Sequence, residues 1–141
     1  MSTHDELPLL SLLSLATNRE RARLTAALAA EGFDDIALPG ARILGALRSG
    51  PQSIQALAQA TDTTKQFAAR EIQKLCRARY VSVSQSAEDK RVSVVRLEPR
   101  GRRLLDASHH TKHALDRAVA RKLGERDAAS LRRLLERLVS D

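Results

Sequence analysis

Only two stretches of this chain alternate with the period of a strand, YVSVS and RVSVVRL, and elsewhere the apolar residues recur at helical spacing. Those two runs, joined by the polar QSAEDK, are too short for anything but a hairpin, so the fold class expected is mainly α with a small β-hairpin. The core must be built from Leu, Ala, Val and Ile, because aromatic residues are only 2% of the chain while hydrophobic residues are 43%. A length of 141 residues suits a single domain, and its lone cysteine can form no intrachain bridge, which fits a cytoplasmic setting.

The first helical stripe runs through Leu9, Leu12, Leu13, Ala16, Leu24, Ala27 and Leu28. Pro8 suits its first turn and Gly32 the position after its last. The segment LPGARILGALRSGP reads as a short helix with Ile43, Leu44 and Leu47 inward. Ser53 can cap a third helix striped by Ile54, Leu57 and Ala58, and after a turn at Thr61 and Asp62, Thr64 can cap a fourth. On that fourth helix Ala68, Ile72 and Leu75 face inward, whereas Lys65, Gln66, Ala69, Arg70 and Gln73 face out. A short helix, a turn and a polar, basic second helix make a helix-turn-helix pattern. After the hairpin, Pro99 permits a long helix that breaks at Gly124, and a last one near Glu125 to Val139 aligns Leu131, Leu134, Leu135 and Leu138.

Charge is concentrated rather than spread. Of the net +7, residues 62–103 hold +6, with 11 basic side chains against 5 acidic ones. That basic segment coincides with the fourth helix and the hairpin, and points to a polyanionic partner. A helix enters the major groove N-terminus first, where Lys and Arg can bond guanine acceptors and Gln can pair with adenine, and Lys65, Gln66 and Arg70 are so placed. At the hairpin tip, Arg91 suits the minor groove, with Asp89 two residues earlier on the same strand face to fix its guanidinium. A solvated helix face and an ion pair that only stiffens a hairpin remain open for these residues.

The segment TTKQFAAREIQKLCRARYVSVSQSAEDKRVSVVRLEPRG resembles the winged helix-turn-helix core of MarR-family transcriptional regulators. Thr64, Lys65 and Gln66 with Arg70 one turn on match the opening of the family's recognition helix. Asp89, Lys90 and Arg91 match its wing, and Leu97 to Gly101 the step that follows. With the first and the last two helices, the resemblance covers nearly the whole chain. It implies one domain over 1–141, with a winged helix-turn-helix lobe at 36–100 and a helical dimerisation region formed by 7–32 and 100–140. It also implies a homodimeric repressor on a palindromic operator in double-stranded DNA, with a small-molecule effector as a further partner. The DNA-binding set it implies is Ser53, Thr64, Lys65, Gln66, Ala69, Arg70, Asp89, Lys90 and Arg91. Arg79 stands where the family often has glycine, so a left-handed helix cap there must be made by a costlier residue or replaced. Val83 and Ser84 occupy positions often basic in the family, and Glu98 replaces a common Thr.

The other signals are weaker. Cys76 near Arg77 and Arg79 reads either as a thiol with lowered pKa or as a small packed side chain. His109 and His113 have the spacing of a two-histidine metal site, but no Cys or carboxylate ligand adjoins them, and no metal or cofactor is expected. An enzyme is not expected either, since P-loop, G-x-S-x-G, H-E-x-x-H and C-x-x-C motifs are lacking. No run of 18 apolar residues occurs, and LPLLSLLSLA lacks the basic flank of a secretory signal, so no membrane role is expected. The competing function is a helical interaction protein, or a module that binds nucleic acid without reading sequence.

Overall fold

Helical periodicity becomes six helices in a computed structural model, which describes residues 6–141. They are α1 (Leu9–Ala30), α2 (Leu38–Ala46), α3 (Ile54–Ala60), α4 (Lys65–Arg77), α5 (Pro99–Leu123) and α6 (Glu125–Val139). The first five residues of the expected single domain lie outside the described ones. Among the described residues no helix is long and apolar enough to cross a membrane.

Leu28–Ser108 form one of two compact units. Its core is aliphatic, as composition requires: Ile43, Leu44, Leu47, Leu57, Ala68, Ile72, Val81, Val95 and Leu104 are buried, together with the single tyrosine, Tyr80. α1 ends within this unit, where the Gly32 N–H donates to Ala29 and the Phe33 N–H to Leu28. Gly32 has φ +93°, so its lack of a side chain makes this closure inexpensive. Pro8 directly precedes α1 and accepts from the N–H groups of Ser11 and Leu12.

The strands are β1 (Gln52–Ser53), β2 (Val81–Gln85) and β3 (Ser93–Leu97), antiparallel in the order β1-β3-β2. β2 and β3 form the expected hairpin, with Val83 opposite Val95. The third strand is a correction to the sequence reading. Gln52 pairs with Val95 and Ser53 with Val94, but two residues are too few to display alternation. β3 also starts two residues later than the run RVSVVRL suggests, because Arg91 and Val92 belong to the wing turn.

The second unit takes α1 up to Ala27 together with His109–Asp141. Here none of α6 is buried, and its apolar face is open: Leu131, Leu134, Leu135, Leu138 and Val139 are all exposed. Leu9, Leu10, Leu12 and Leu15 on α1 are exposed as well. Arg132 binds Asp116 at 2.9 Å, tying α6 to α5.

Candidate nucleic-acid interface

Both helices of the helix-turn-helix begin on a side-chain cap. Ser53 Oγ accepts from the Ala56 N–H at 3.0 Å, and Thr64 Oγ1 accepts from the Phe67 N–H at 3.1 Å. Between them Asp62 takes φ +52°, and the Thr63 N–H donates to Ala58 at 2.9 Å, closing α3 and reversing the chain. Ala68, Ile72 and Leu75 anchor α4 to the core, while Lys65, Gln66, Arg70 and Gln73 are exposed along it. Ala69 and Phe67 are half-buried, so both present less surface than the polar residues beside them. Glu71 is buried on the inner side and accepts from Lys74 Nζ at 3.2 Å. The outer face of the first two turns therefore carries cations and an amide, with no acidic side chain in the first turn.

The wing turn brings its pair together. Arg91 donates through Nε to Asp89 Oδ1 at 3.1 Å and through Nη2 to Asp89 Oδ2 at 3.2 Å. The Arg91 backbone N–H also donates to Asp89 Oδ1, at 3.0 Å. These hydrogen bonds, the side-chain ones first, hold the Asp89 carboxyl below its usual range. The pairing does not arise from a shared strand face, as the sequence suggested. Both residues lie in a turn closed by the Val92 N–H on the Asp89 carbonyl at 3.0 Å, and an Asp side chain bonding two residues ahead is a turn-forming contact. Lys90 is exposed between them, and the Arg91 side chain keeps 90% of its surface accessible.

A third cluster escaped the sequence reading. Arg100, in the first turn of α5, donates to Asp35 Oδ2 at 3.0 Å, to Asp35 Oδ1 at 3.2 Å and to the Gly32 carbonyl at 3.3 Å. It also donates to the Ala78 carbonyl at the end of α4, and its Cζ lies 4.3 Å from the Tyr80 ring centroid. The Tyr80 hydroxyl donates to Asp35. Burial, then the bond to Asp35, pushes the Tyr80 phenol well up. Burial pushes the Asp35 carboxyl up too, but bonds from Tyr80 and Arg100 outweigh it and hold Asp35 below its usual range. Beside the cluster a surface hollow of about 380 Å³ is lined by Cys76, Arg79, Val81, Glu98, Pro99 and Arg100. Asp35, Tyr80 and Arg100 sit too far apart in sequence for any spacing rule to join them. The one available hint was a single tyrosine in a chain almost without aromatics.

Arg79 makes the left-handed cap itself, at φ +66°, with the Tyr80 N–H on the Leu75 carbonyl at 2.9 Å. One turn back, burial pushes the Cys76 thiol up, against the lowered pKa that neighbouring arginines suggested. His109 and His113 are exposed with their Nε2 atoms 3.2 Å apart, and among the described residues no third ligand joins them.

The pattern of the MarR family matches residues 35–92, the stretch that carries α2 to the wing turn. No curated protein matches the chain by sequence. Solved structures share its fold. The reduced form of MarR from E. coli superposes with a TM-score of 0.81 at 20% identity, over 96% of this chain and 99% of that one. RV1404 from Mycobacterium tuberculosis gives 0.80 at 18% identity, over 97% and 96%. A mutant MarR from E. coli complexed with operator DNA gives 0.73 at 19% identity, over 99% and 100%. The fold is thus that of MarR winged-helix proteins, and the MarR family's pattern lies over the helix-turn-helix and wing of this chain.

Proposed function

We propose that the chain is a sequence-specific double-stranded DNA-binding transcriptional regulator, a homodimeric repressor on a palindromic operator. The observation that carries this reading is the capped α4, whose exposed Lys65, Gln66 and Arg70 have the donor and acceptor chemistry of major-groove readers. Ser53, Thr64 and Ala69 position or border that face, and Arg91, gripped by Asp89 and flanked by Lys90, serves the minor groove. A relative of the same fold is complexed with operator DNA, which supports the assignment. The lobe at 36–100 would read DNA, and the open leucine faces in 7–32 and 100–140 would meet those of a second copy. Such a repressor works in the cytoplasm without catalysis, and a small-molecule effector that shifts the lobes would release it.

Selection of bound duplexes from a random pool tests this. An enriched inverted repeat is the expected result. Binding that falls steeply with salt yet enriches no sequence would instead identify a nucleic-acid binder that holds phosphate without reading bases.

A further inference from the structure

Arg100 gathers the end of α1, the loop before α2, the end of α4 and the root of the wing. We infer that it is a positioning residue for DNA recognition, fixing the C-terminal end of α4 so that the reading face at the other end keeps its attitude. The inference rests on the function proposed above. Three features support it. Ala78 is the residue that caps the C-terminus of α4, its carbonyl is one of the acceptors that lack partners within the helix, and a cation is favoured there by the helix dipole. Asp35 in turn grips the guanidinium through both carboxylate oxygens, so the cation is itself immobilised. Finally, Gly101 places the start of α5 against the Tyr80 carbonyl so closely that a Cβ would collide with it, leaving Arg100 little room to shift.

An anchor so far from the bases matters because the helix acts as a lever. The 13 residues of α4 span about 20 Å, so a tilt of about 5° at the anchored end moves the first turn by about 2 Å. A base contact does not survive that displacement, because hydrogen bonds weaken steeply outside a few tenths of an ångström. Attraction to phosphate, which is long-ranged, hardly changes.

Arg100→Lys is the test, because it keeps the charge and removes the fork. Affinity is measured for the selected duplex and for a scrambled one, below the unfolding midpoint of each protein. The ratio of the two affinities is expected to fall by about tenfold, while binding to the scrambled duplex stays near that of the parent. Amide exchange at Arg79 and Tyr80, whose N–H groups close α4, should quicken in the same variant. Asp35→Asn keeps the side-chain shape and should lower the ratio in the same direction, which decides the matter if Arg100→Lys does not fold. An unchanged ratio in a folded variant overturns the inference, as does an equal loss on both duplexes. A parent protein that itself distinguishes no duplex sinks the proposed function, and the parent's own ratio tells that failure apart.

Discussion

Gln66 and Arg70 are where sequence discrimination is concentrated if α4 reads bases. Replacing either with Ala is expected to cost about 1–3 kcal/mol on the selected duplex and almost nothing on a scrambled one, measured by fluorescence anisotropy. The wing offers a sharper case because its two charges oppose each other near DNA. Removing a negative charge beside phosphate should tighten binding if Asp89 does no more than repel. The grip of Asp89 on Arg91 through Nε, Nη2 and the backbone N–H argues the reverse. Asp89→Asn is therefore expected to weaken binding despite raising the net charge, and tighter binding at two salt concentrations would refute the orienting role. The effect belongs to neutral pH. Asp89 titrates below the ordinary carboxylate range, so the pair is intact there and is lost only as pH falls through that lowered value.

At the scale of elements, α4 is held by unequal closures. Its start is a well-formed threonine cap, whereas its end rests on Arg79 in a left-handed conformation that costs a residue with a Cβ about 1–2 kcal/mol. Arg79→Gly should relieve that strain and lose some of the gain to the greater freedom of the unfolded chain, for a net stabilisation of about 0.5–1 kcal/mol in urea unfolding. A lowered midpoint would mean that the Arg79 side chain contributes more than its backbone costs. The cap at Arg79 was raised only by the family resemblance, which left open that it was replaced, whereas the bounds of α6 and the caps Ser53 and Thr64 were legible in the sequence, because each depends on neighbours within four residues. β1 was not, since a two-residue strand is defined by its partner β3 alone. Nor was the cluster of Asp35, Tyr80 and Arg100, whose members meet only after α2, α4 and α5 have packed. The turn at Asp89 lies between these cases: the residue pair was evident, but a bend rather than a strand face unites it.

For the whole molecule, the open faces of α1 and α6 set the expected assembly. Leu131, Leu134, Leu135 and Leu138 occur on a helix with no buried residue, and leaving such a stripe in water forgoes about 25 cal/mol for every Å² that a partner could cover. Sedimentation at micromolar concentration is expected to give a dimer, and Leu134→Glu to shift it toward the 15.5 kDa monomer. A parent sedimenting as a monomer would remove the basis for a palindromic target.

Tyr80 has a practical consequence. The chain has no tryptophan and one tyrosine, so its near-ultraviolet signal comes chiefly from a single phenol, buried against Arg100 and bonded to Asp35. It is a built-in optical reporter at the junction of α4 and the wing. Its neutral form is favoured by the fold, so its contribution to stability is complete below the ordinary tyrosine value of about 10 and wanes as pH rises. Tyrosinate absorbance is expected to appear only well above that value and together with the loss of helical circular dichroism, whereas a titration near 10 in the folded protein would place the phenol in water. Because the signal arises at one site, a change in it on adding duplex or a small anion would report the lobe's response without any attached dye.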